Sequence, residues 1–217
     1  MTKKNRQRIG VFIIAVVMLV GTIGSFMIMI LADHNASQDQ QQIAKLEADY
    51  QKEMEAYQAK LSEQADELSD KYFDQFSRHQ DEVSKFDAKS VKELKTRDLA
   101  LGSGERVDED TEYSAYYIGW TPDGKVFEQS IDNGRLRAPI QSGSLIEGWT
   151  KGVIGMKLGG VRELTIPADM AYGESGTDTI EPNTPLKFIV MVIERPDEIE
   201  QPGMPEELLK YYQQQSY

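Results

Sequence analysis

Cysteine, histidine, glycine and proline are absent or scarce over long parts of this chain. With no cysteine, disulfides, thiolate metal ligands and a cysteine nucleophile are excluded. Neither histidine lies beyond residue 79, so the C-terminal half has no imidazole for acid-base chemistry or metal binding. Glycine is missing between Gly24 and Gly102, and proline before Pro122, so nothing in residues 36–95 would interrupt a helix. A net charge of −12 argues against a nucleic-acid partner.

Residues 9–32 form a long segment without any charged side chain. A helix of this length measures roughly 36 Å, enough to cross a hydrocarbon core of about 30 Å. A cleaved signal peptide is the alternative, but its apolar region usually runs only about 7 to 15 residues. Four cations precede the segment and Asp33 follows it. By the positive-inside bias we expect a cytoplasmic N-terminus of residues 1–8, a single transmembrane helix at 9–32, and the remainder outside the cytoplasm of a bacterial cell.

Residues 33–96 are predicted to form a helical stalk, because they are rich in Ala, Glu, Gln, Lys and Leu. The apolar stripe repeats every eleven residues, about 3.67 residues per turn. We expect one nearly continuous helix from about residue 37 to the high 80s or low 90s. The stripe suits a partner helix, so we expect a homodimer or coiled coil through the stalk; a single solvated helix is the alternative. Its members are Ile43, Leu46, Tyr50, Met54, Tyr57, Leu61, Ala65, Leu68, Tyr72 and Phe76, followed by His79 and Val83.

Glycines, prolines and short alternating runs appear from about Leu99 onward, which indicates a globular, strand-rich domain at residues 97–195. There is room for only one short helix, near 146–154, so parallel βαβ units are not expected. The predicted fold class is α+β, an antiparallel β-sheet wrapped on one short helix, preceded by the transmembrane helix and the stalk. The predicted strands are 112–120, 125–130, 136–141, 161–167 and 185–194.

This domain has no nucleophile elbow, no phosphate-binding glycine loop and no cluster of metal ligands in its sequence. It has aromatic residues beside turns instead, within YYIGWTPDGKVFEQS (116–130), LIEGWTKGVIGMKLGGVRELTIPADMAYGESG (145–176) and PNTPLKFIVMVIE (182–194). In order and spacing these motifs resemble the FKBP-type peptidyl-prolyl isomerases, over residues from about 97 to 195.

The resemblance implies an apolar pocket for a prolyl ring. Trp149 would be its floor, with Gly148 and Gly152 leaving the indole room, and the backbone amide of Ile146 would anchor a substrate carbonyl. Tyr172 would donate its hydroxyl to another substrate carbonyl. The implied catalytic residues are Tyr117, Phe127, Glu128, Trp149, Tyr172 and Phe188, and the implied substrate-binding residues are Leu136, Leu145, Ile146 and Ile180.

Two positions depart from the pattern of the family. Glu128 stands where aspartate is usual, and Leu136 stands where an aromatic residue is usual in the third strand. No cofactor and no metal are implied, because isomerisation about an X–Pro bond makes and breaks no covalent bond. The implied partners are proline-containing polypeptides, here exported or surface proteins.

The whole chain also resembles, in architecture, the infectivity-potentiator type of surface isomerase, in which a long helix carries such a domain. A low-turnover binding module or scaffold on a stalk is an alternative function, and a spacer role of the stalk itself is another. The tail, residues 196–217, is predicted to hold a short helix from about Glu206 to Gln214 that docks on the domain or on the stalk; a frayed terminus is the alternative.

Overall fold

The computed structural model describes residues 38–143 and 145–215. The predicted cytoplasmic N-terminus and membrane span, residues 1–32, lie outside these residues. Within the described ranges, no helix combines the length and the apolar character that crossing a bilayer requires.

Three α-helices and eight strands make up the described chain. The helices are α1 (Gln38–Ser77), α2 (Glu147–Val153) and α3 (Glu206–Gln215). The strands are β1 (Lys95–Ala100), β2 (Tyr113–Trp120), β3 (Val126–Gln129), β4 (Ile131–Asp132), β5 (Arg135–Leu136), β6 (Ile140–Gln141), β7 (Val161–Ile166) and β8 (Leu186–Glu194). Short 3-10 turns lie at Gln80–Glu82, Ala88–Ser90, Ala168–Met170 and Gly173–Ser175.

The chain divides into two compact units. The first holds the chain up to Lys60 together with Ile199–Tyr217, and the second holds Leu61–Glu198. The division falls inside α1, so the two parts of this helix belong to different units.

The second unit is built on an antiparallel sheet in the order β1-β7-β8-β2-β3, with β6 paired to β2 and a separate β4-β5 hairpin. Strands β2 and β8 pair over their whole length, from Tyr113 opposite Glu194 to Trp120 opposite Lys187. The structure confirms the predicted antiparallel sheet with a short helix. It differs in two details: β1 was not expected, and the predicted strand 136–141 is divided between β5 and β6.

Helix α2 packs on one face of the sheet. A side chain at Gly148 would place its Cβ 2.2 Å from Ile166 Cγ2, and one at Gly152 would place it 2.8 Å from Leu164 Cδ2. These glycines therefore let the helix lie directly on β7. The prediction that they make room for the indole of Trp149 is wrong, because both face the sheet.

The other face of the sheet is covered by the C-terminal part of α1, which the sequence analysis assigned to the stalk. Phe76 is fully buried there with Tyr116, Ile118 and Trp120 of β2. Because β2 and β8 carry large apolar side chains on both faces, each face needs a cover. The expected sheet on one short helix is confirmed, and the C-terminal part of α1 adds a second helical cover that was not expected.

Helix α1 ends at Ser77, earlier than the predicted end in the high 80s or low 90s. The chain turns so that Val83 and Phe86 also pack on the α1-covered face. The Ser84 backbone carbonyl accepts a hydrogen bond from Trp120 Nε1 at 3.0 Å, and the Phe86 amide donates to the Pro122 carbonyl at 3.0 Å. No glycine or proline breaks the helix; tertiary contacts do.

In the first unit, α3 docks on the N-terminal part of α1. The Tyr212 hydroxyl donates to Glu47 Oε1 at 2.8 Å, and Leu208 is only 1% exposed. Burial, followed by the bond to Glu47, raises the pKa of Tyr212. The stripe residue Met54 is also buried. This confirms the predicted docking of the tail helix, with the stalk helix as its partner.

Candidate active site

Aromatic side chains from several elements meet on the α2 face of the sheet. Trp149 of α2 and Phe188 of β8 belong to the buried core there, and Tyr117, Phe127 and Tyr172 pack against it, each partly exposed. We call these five residues the aromatic cluster. They are the aromatic residues that the resemblance assigns to the pocket, and the fold brings all of them together.

Three pairs of rings in the aromatic cluster meet edge to face. The Trp149 ring lies 5.4 Å from that of Tyr117 and 5.3 Å from that of Phe188, at interplanar angles of 80° and 74°. The rings of Phe127 and Phe188 are 5.6 Å apart at 86°. Such T-shaped contacts fix the rings more strongly than area burial alone. The result is a rigid apolar surface with one partly exposed side.

A bulge and a glycine place Phe127 in the aromatic cluster. In the β2–β3 pairing, Gly119 is opposite Glu128 while Trp120 is opposite Val126, so Phe127 is the extra residue. A Cβ on Gly119 would come within 2.6 Å of Phe127 Cζ and 2.7 Å of Phe188 Cε1. Only glycine at this position lets both rings close over the strand.

Trp149 is 2% exposed and Phe188 is 3% exposed, so the indole is a buried core residue as well as a member of the aromatic cluster. The prediction that Trp149 is a pocket residue rather than core is corrected in this respect. The T-shaped contacts with Tyr117 and Phe188 cover the indole. The partly exposed members of the aromatic cluster, Tyr117, Phe127 and Tyr172, present its accessible side.

The Tyr117 hydroxyl is held by its surroundings in the neutral form. Burial raises the pKa of Tyr117, and the charge of Glu128 and its hydrogen bond with the hydroxyl raise it further. Arg137, whose positive charge acts in the opposite direction, donates to the Gln129 carbonyl. The Tyr117 amide donates to Ser130 Oγ at 2.9 Å. Glu128 itself is exposed, and its charge acts on the phenol from the neighbouring strand β3.

Leu145, Ile146 and Ile180 also lie against the aromatic cluster. Leu145 and Ile146 are partly buried, and Ile180 is buried in the same core. Ile146 caps the N-terminus of α2, where its carbonyl accepts from the Trp149 amide at 3.0 Å. Among the described residues, no acceptor takes the Ile146 amide proton, as expected for an amide that would bind a substrate carbonyl.

Leu136 is the one predicted substrate-binding residue that the structure places elsewhere. It is 4% exposed and packs in the core under α1, on the opposite face of the sheet from the aromatic cluster. Its amide donates to Ser69 Oγ of α1 at 2.9 Å. The hairpin β4-β5, in which Leu136 is opposite Ile131, turns this side chain toward α1, and no feature of the local sequence indicates this.

Other residues near the aromatic cluster were not predicted from the sequence. Ile140, Met170 and Ala171 are partly buried against the same core, and Arg137 lies close enough to Tyr117 to influence its pKa. Met170 and Ala171 stand within the quoted motif IPADMAYG, which was the available signal. Within residues 38–143 and 145–215, no cluster of three His, Asp or Glu side chains could hold a metal ion.

Comparison with known proteins identifies the family. The family model for the FKBP-type peptidyl-prolyl cis-trans isomerases matches residues 103–193. An FK506-binding protein of Neisseria meningitidis is 38% identical over 98 residues, which cover 44% of this chain and 90% of that protein. FK506-binding protein 4 of Dictyostelium discoideum is 42% identical over 105 residues, 46% of this chain and 28% of the relative. FK506-binding protein 4 of Chaetomium thermophilum is 36% identical over 106 residues, 49% of this chain and 22% of the relative.

The match to the Neisseria protein covers nearly all of that relative. This chain belongs to the family of FKBP-type peptidyl-prolyl cis-trans isomerases. It spans only 22% and 28% of the length of the Chaetomium and Dictyostelium relatives.

Proposed function

We propose that the domain at residues 97–195 catalyses cis-trans isomerisation of X–Pro bonds in polypeptides. The observation that carries the proposal is the aromatic cluster, whose rigid apolar surface has Tyr117, Phe127 and Tyr172 on its accessible side. A prolyl ring is a small apolar group and suits such a surface. The Ile146 amide, which no described residue accepts from, and the Tyr172 hydroxyl would hold the carbonyls on either side of the ring.

This chemistry needs no acid, base or metal. Rotation about the X–Pro bond is slow because amide resonance is lost, at a barrier of about 18–20 kcal/mol. The twisted amide has less charge separation than the planar amide, so an apolar environment lowers its relative free energy. A reduction of about 5–7 kcal/mol corresponds to roughly four or five decades in rate. Because its pKa is raised, Tyr117 adds no negative charge to the site at neutral pH.

The test is catalysis by the full chain at substoichiometric concentration. Exchange between the cis and trans forms of a short X–Pro peptide is followed by NMR, with an otherwise identical peptide lacking proline as the binding control. Faster exchange with proportionality to enzyme concentration supports the isomerase. If the peptide resonances shift on binding while the exchange rate stays at its uncatalysed value, the chain is a low-turnover binding module instead.

We further propose that the chain is a single-pass membrane protein, with residues 1–8 in the cytoplasm and the isomerase domain outside it, acting on exported or surface proteins. The uncharged segment 9–32 and the cations before it support this placement. Protease added to intact spheroplasts should digest the domain and leave an N-terminal tag protected. A domain that is digested only after lysis would contradict this orientation.

A homodimer through the stalk, as in the infectivity-potentiator architecture, stays part of this proposal. Ile43, Leu46 and Tyr50 are partly exposed on α1 and would form the contact between two copies. Cross-links between cysteines introduced at Leu46, with none between cysteines at exposed Gln58, would support a parallel dimer. Monomeric mass at all concentrations would contradict it.

A further inference from the structure

A concave site separate from the aromatic cluster lies in the Leu61–Glu198 unit, at the end of the edge strand β1. It is a cavity of about 220 Å³ whose lining includes Asp98, Ala100, Leu101, Gly155, Lys157 and Arg162. None of the residues of the aromatic cluster lines this cavity. The proposed isomerase chemistry therefore leaves the cavity unexplained.

Arg162 is a buried cation in the wall of the cavity. It is only 9% exposed, and its Nε donates to Asp98 Oδ1 at 2.6 Å. Its Nη1 donates to the carbonyls of Gly152 at 2.9 Å and Ile154 at 3.1 Å. The Nη2 group takes part in none of these bonds, and no acceptor among the described residues binds it. One arm of the guanidinium fork is thus available.

Two further cations stand at the cavity. Lys157 lines it, and Arg106 Nη2 lies 3.2 Å from the position that a Cβ on Gly155 would occupy. Both side chains belong to exposed residues, and no carboxylate in the described part of the chain forms a salt bridge with either. Asp98, the acid in the lining, is already paired with Arg162. On a chain with a net charge of −12, this local excess of positive charge attracts anions.

The remaining wall is apolar or backbone. Leu101 lines the cavity and is 84% exposed. Contact with an apolar ligand would remove its aliphatic surface from water, which is favourable. Gly102 packs so closely on the neighbouring turn that a Cβ would lie 2.3 Å from the Lys157 carbonyl, so this wall is rigid. The cavity combines a cationic end with an apolar edge.

We propose that this cavity binds a small carboxylate that carries an apolar substituent. The available Nη2 group of Arg162 can donate a charge-assisted hydrogen bond to a carboxylate oxygen. Asp98 disfavours a doubly charged oxyanion such as phosphate, because like charges at short distance repel. Leu101 and Ala100 would contact the apolar substituent, and Lys157 and Arg106 would balance the charge.

The test uses sodium benzoate as the probe and benzamide as its neutral isostere. Backbone amide shifts of the full chain are followed by NMR at low ionic strength, where the electrostatic attraction is least screened. We expect saturable shifts at Gly102, Gly155 and Gly160 with benzoate, and affinity at least about tenfold weaker for benzamide, since a guanidinium binds a charged acceptor more strongly. Equal affinity for the two probes, or tighter binding of inorganic phosphate, would overturn the proposal.

A matched pair of variants locates the site without disturbing the buried ion pair. Because Leu101 is exposed, neither Leu101→Glu nor Leu101→Gln should affect folding. Both variants lose the apolar contact of Leu101, but the added carboxylate should weaken benzoate binding by about a further fivefold or more relative to the isosteric amide, because it repels the ligand. Unchanged affinity in both variants would show that benzoate binds elsewhere, and an equal loss in both would show that charge at this position does not affect binding. The X–Pro exchange rate should be unchanged in both.

Discussion

Single residues decide the shape of the aromatic cluster. Gly119 is opposite Phe188 in the sheet and leaves space that the rings of Phe127 and Phe188 fill. Phe127 reaches that space because it is the bulged residue of β3. Trp149 closes the cluster from the side of α2. Because the Phe127 ring is partly exposed, its removal should affect the substrate surface more than the stability of the core.

Phe127→Ala should lower the catalysed X–Pro exchange rate by about tenfold or more, equivalent to about 1.4 kcal/mol of transition-state stabilisation. The thermal midpoint should change little because the ring is only partly buried. The matched control is Ile189→Ala, a fully buried residue of β8, which should cost about 2–5 kcal/mol of stability. Equal loss of stability in the two variants would show that Phe127 is a core residue.

Tyr116→Phe should stabilise the protein. The Tyr116 hydroxyl is buried and has no hydrogen-bond partner within the described residues. A buried polar group without a partner costs about 1–3 kcal/mol, so its removal should raise the free energy of unfolding by about 1 kcal/mol. Urea denaturation measures the change. Tyr117→Phe should give no such gain, because Tyr117 is partly exposed and its hydroxyl is not among the buried groups without a partner. A destabilised Tyr116→Phe variant would indicate a partner for this hydroxyl.

At the scale of elements, α1 has different roles along its length. Beyond Leu61 its stripe residues Leu68, Tyr72 and Phe76 pack on the sheet. Tyr72 and Phe76 each lie 6.2 Å, ring to ring, from Tyr116. The eleven-residue repeat correctly marks the less exposed side of the helix, because every stripe residue from Ile43 to Phe76 is buried or partly buried.

Ser69→Ala tests the attachment of α1 to the β4-β5 hairpin. Ser69 is 2% exposed, and its Oγ accepts from the Leu136 amide at 2.9 Å. The substitution leaves this amide buried without an acceptor, so we expect a loss of about 1–3 kcal/mol in the free energy of unfolding. Ser62→Ala, at an exposed position of the same helix, should be neutral or stabilise by a few tenths of a kcal/mol. Similar results for both would mean that the bond contributes nothing.

At the scale of the whole molecule, the two units should differ in the free energy of local unfolding that hydrogen exchange measures. The first unit holds α3 against α1 through Leu208 and Tyr212, whereas the second has an extensive sheet with two cores. Regions with fewer buried contacts exchange amide protons at lower free-energy cost. The stalk helix before Leu61 therefore depends on α3 more than the sheet does.

Leu208→Ala should speed hydrogen exchange in residues 43–57, because removing a buried leucine side chain costs about 2–5 kcal/mol. The amides of β2 and β8 should keep their protection. Leu209→Ala is the matched control, since Leu209 is 44% exposed and its truncation should cost less than about 1 kcal/mol. Unchanged exchange in residues 43–57 with Leu208→Ala would show that α3 does not stabilise α1.

The pH dependence of stability should show an alkaline loss. Burial raises the pKa of Tyr113, Tyr116 and Tyr117 above the ordinary value of 10.0. Above that pH the unfolded chain releases protons that the folded chain keeps, so the free energy of unfolding falls as the pH rises. Below it this contribution is fully present. Urea midpoints measured from pH 8 upward should decline beyond about pH 10, and less steeply in Tyr116→Phe. A flat profile would contradict the assignment.

The sequence by itself determined much of the sheet domain. Turn signals and alternating apolar residues predict β2, β3, β7 and β8 closely, and the order of the aromatic motifs indicates the family and the members of the aromatic cluster. These features depend on neighbouring residues or on the spacing of motifs along the chain, and both can be read from the sequence alone. The antiparallel order follows because a single short helix cannot supply parallel crossovers.

Only the tertiary structure decided what covers each surface. The end of α1 at Ser77, the position of Leu136 under α1 and the burial of Trp149 all depend on contacts between residues distant in sequence. An apolar periodicity shows that a face must be buried, but many partners satisfy that requirement equally well. Helix α1 packs on the second face of the sheet because the side chains of Phe76 and Tyr72 pack against those of Tyr116 and Trp120. This packing exists only once both the helix and the sheet have formed.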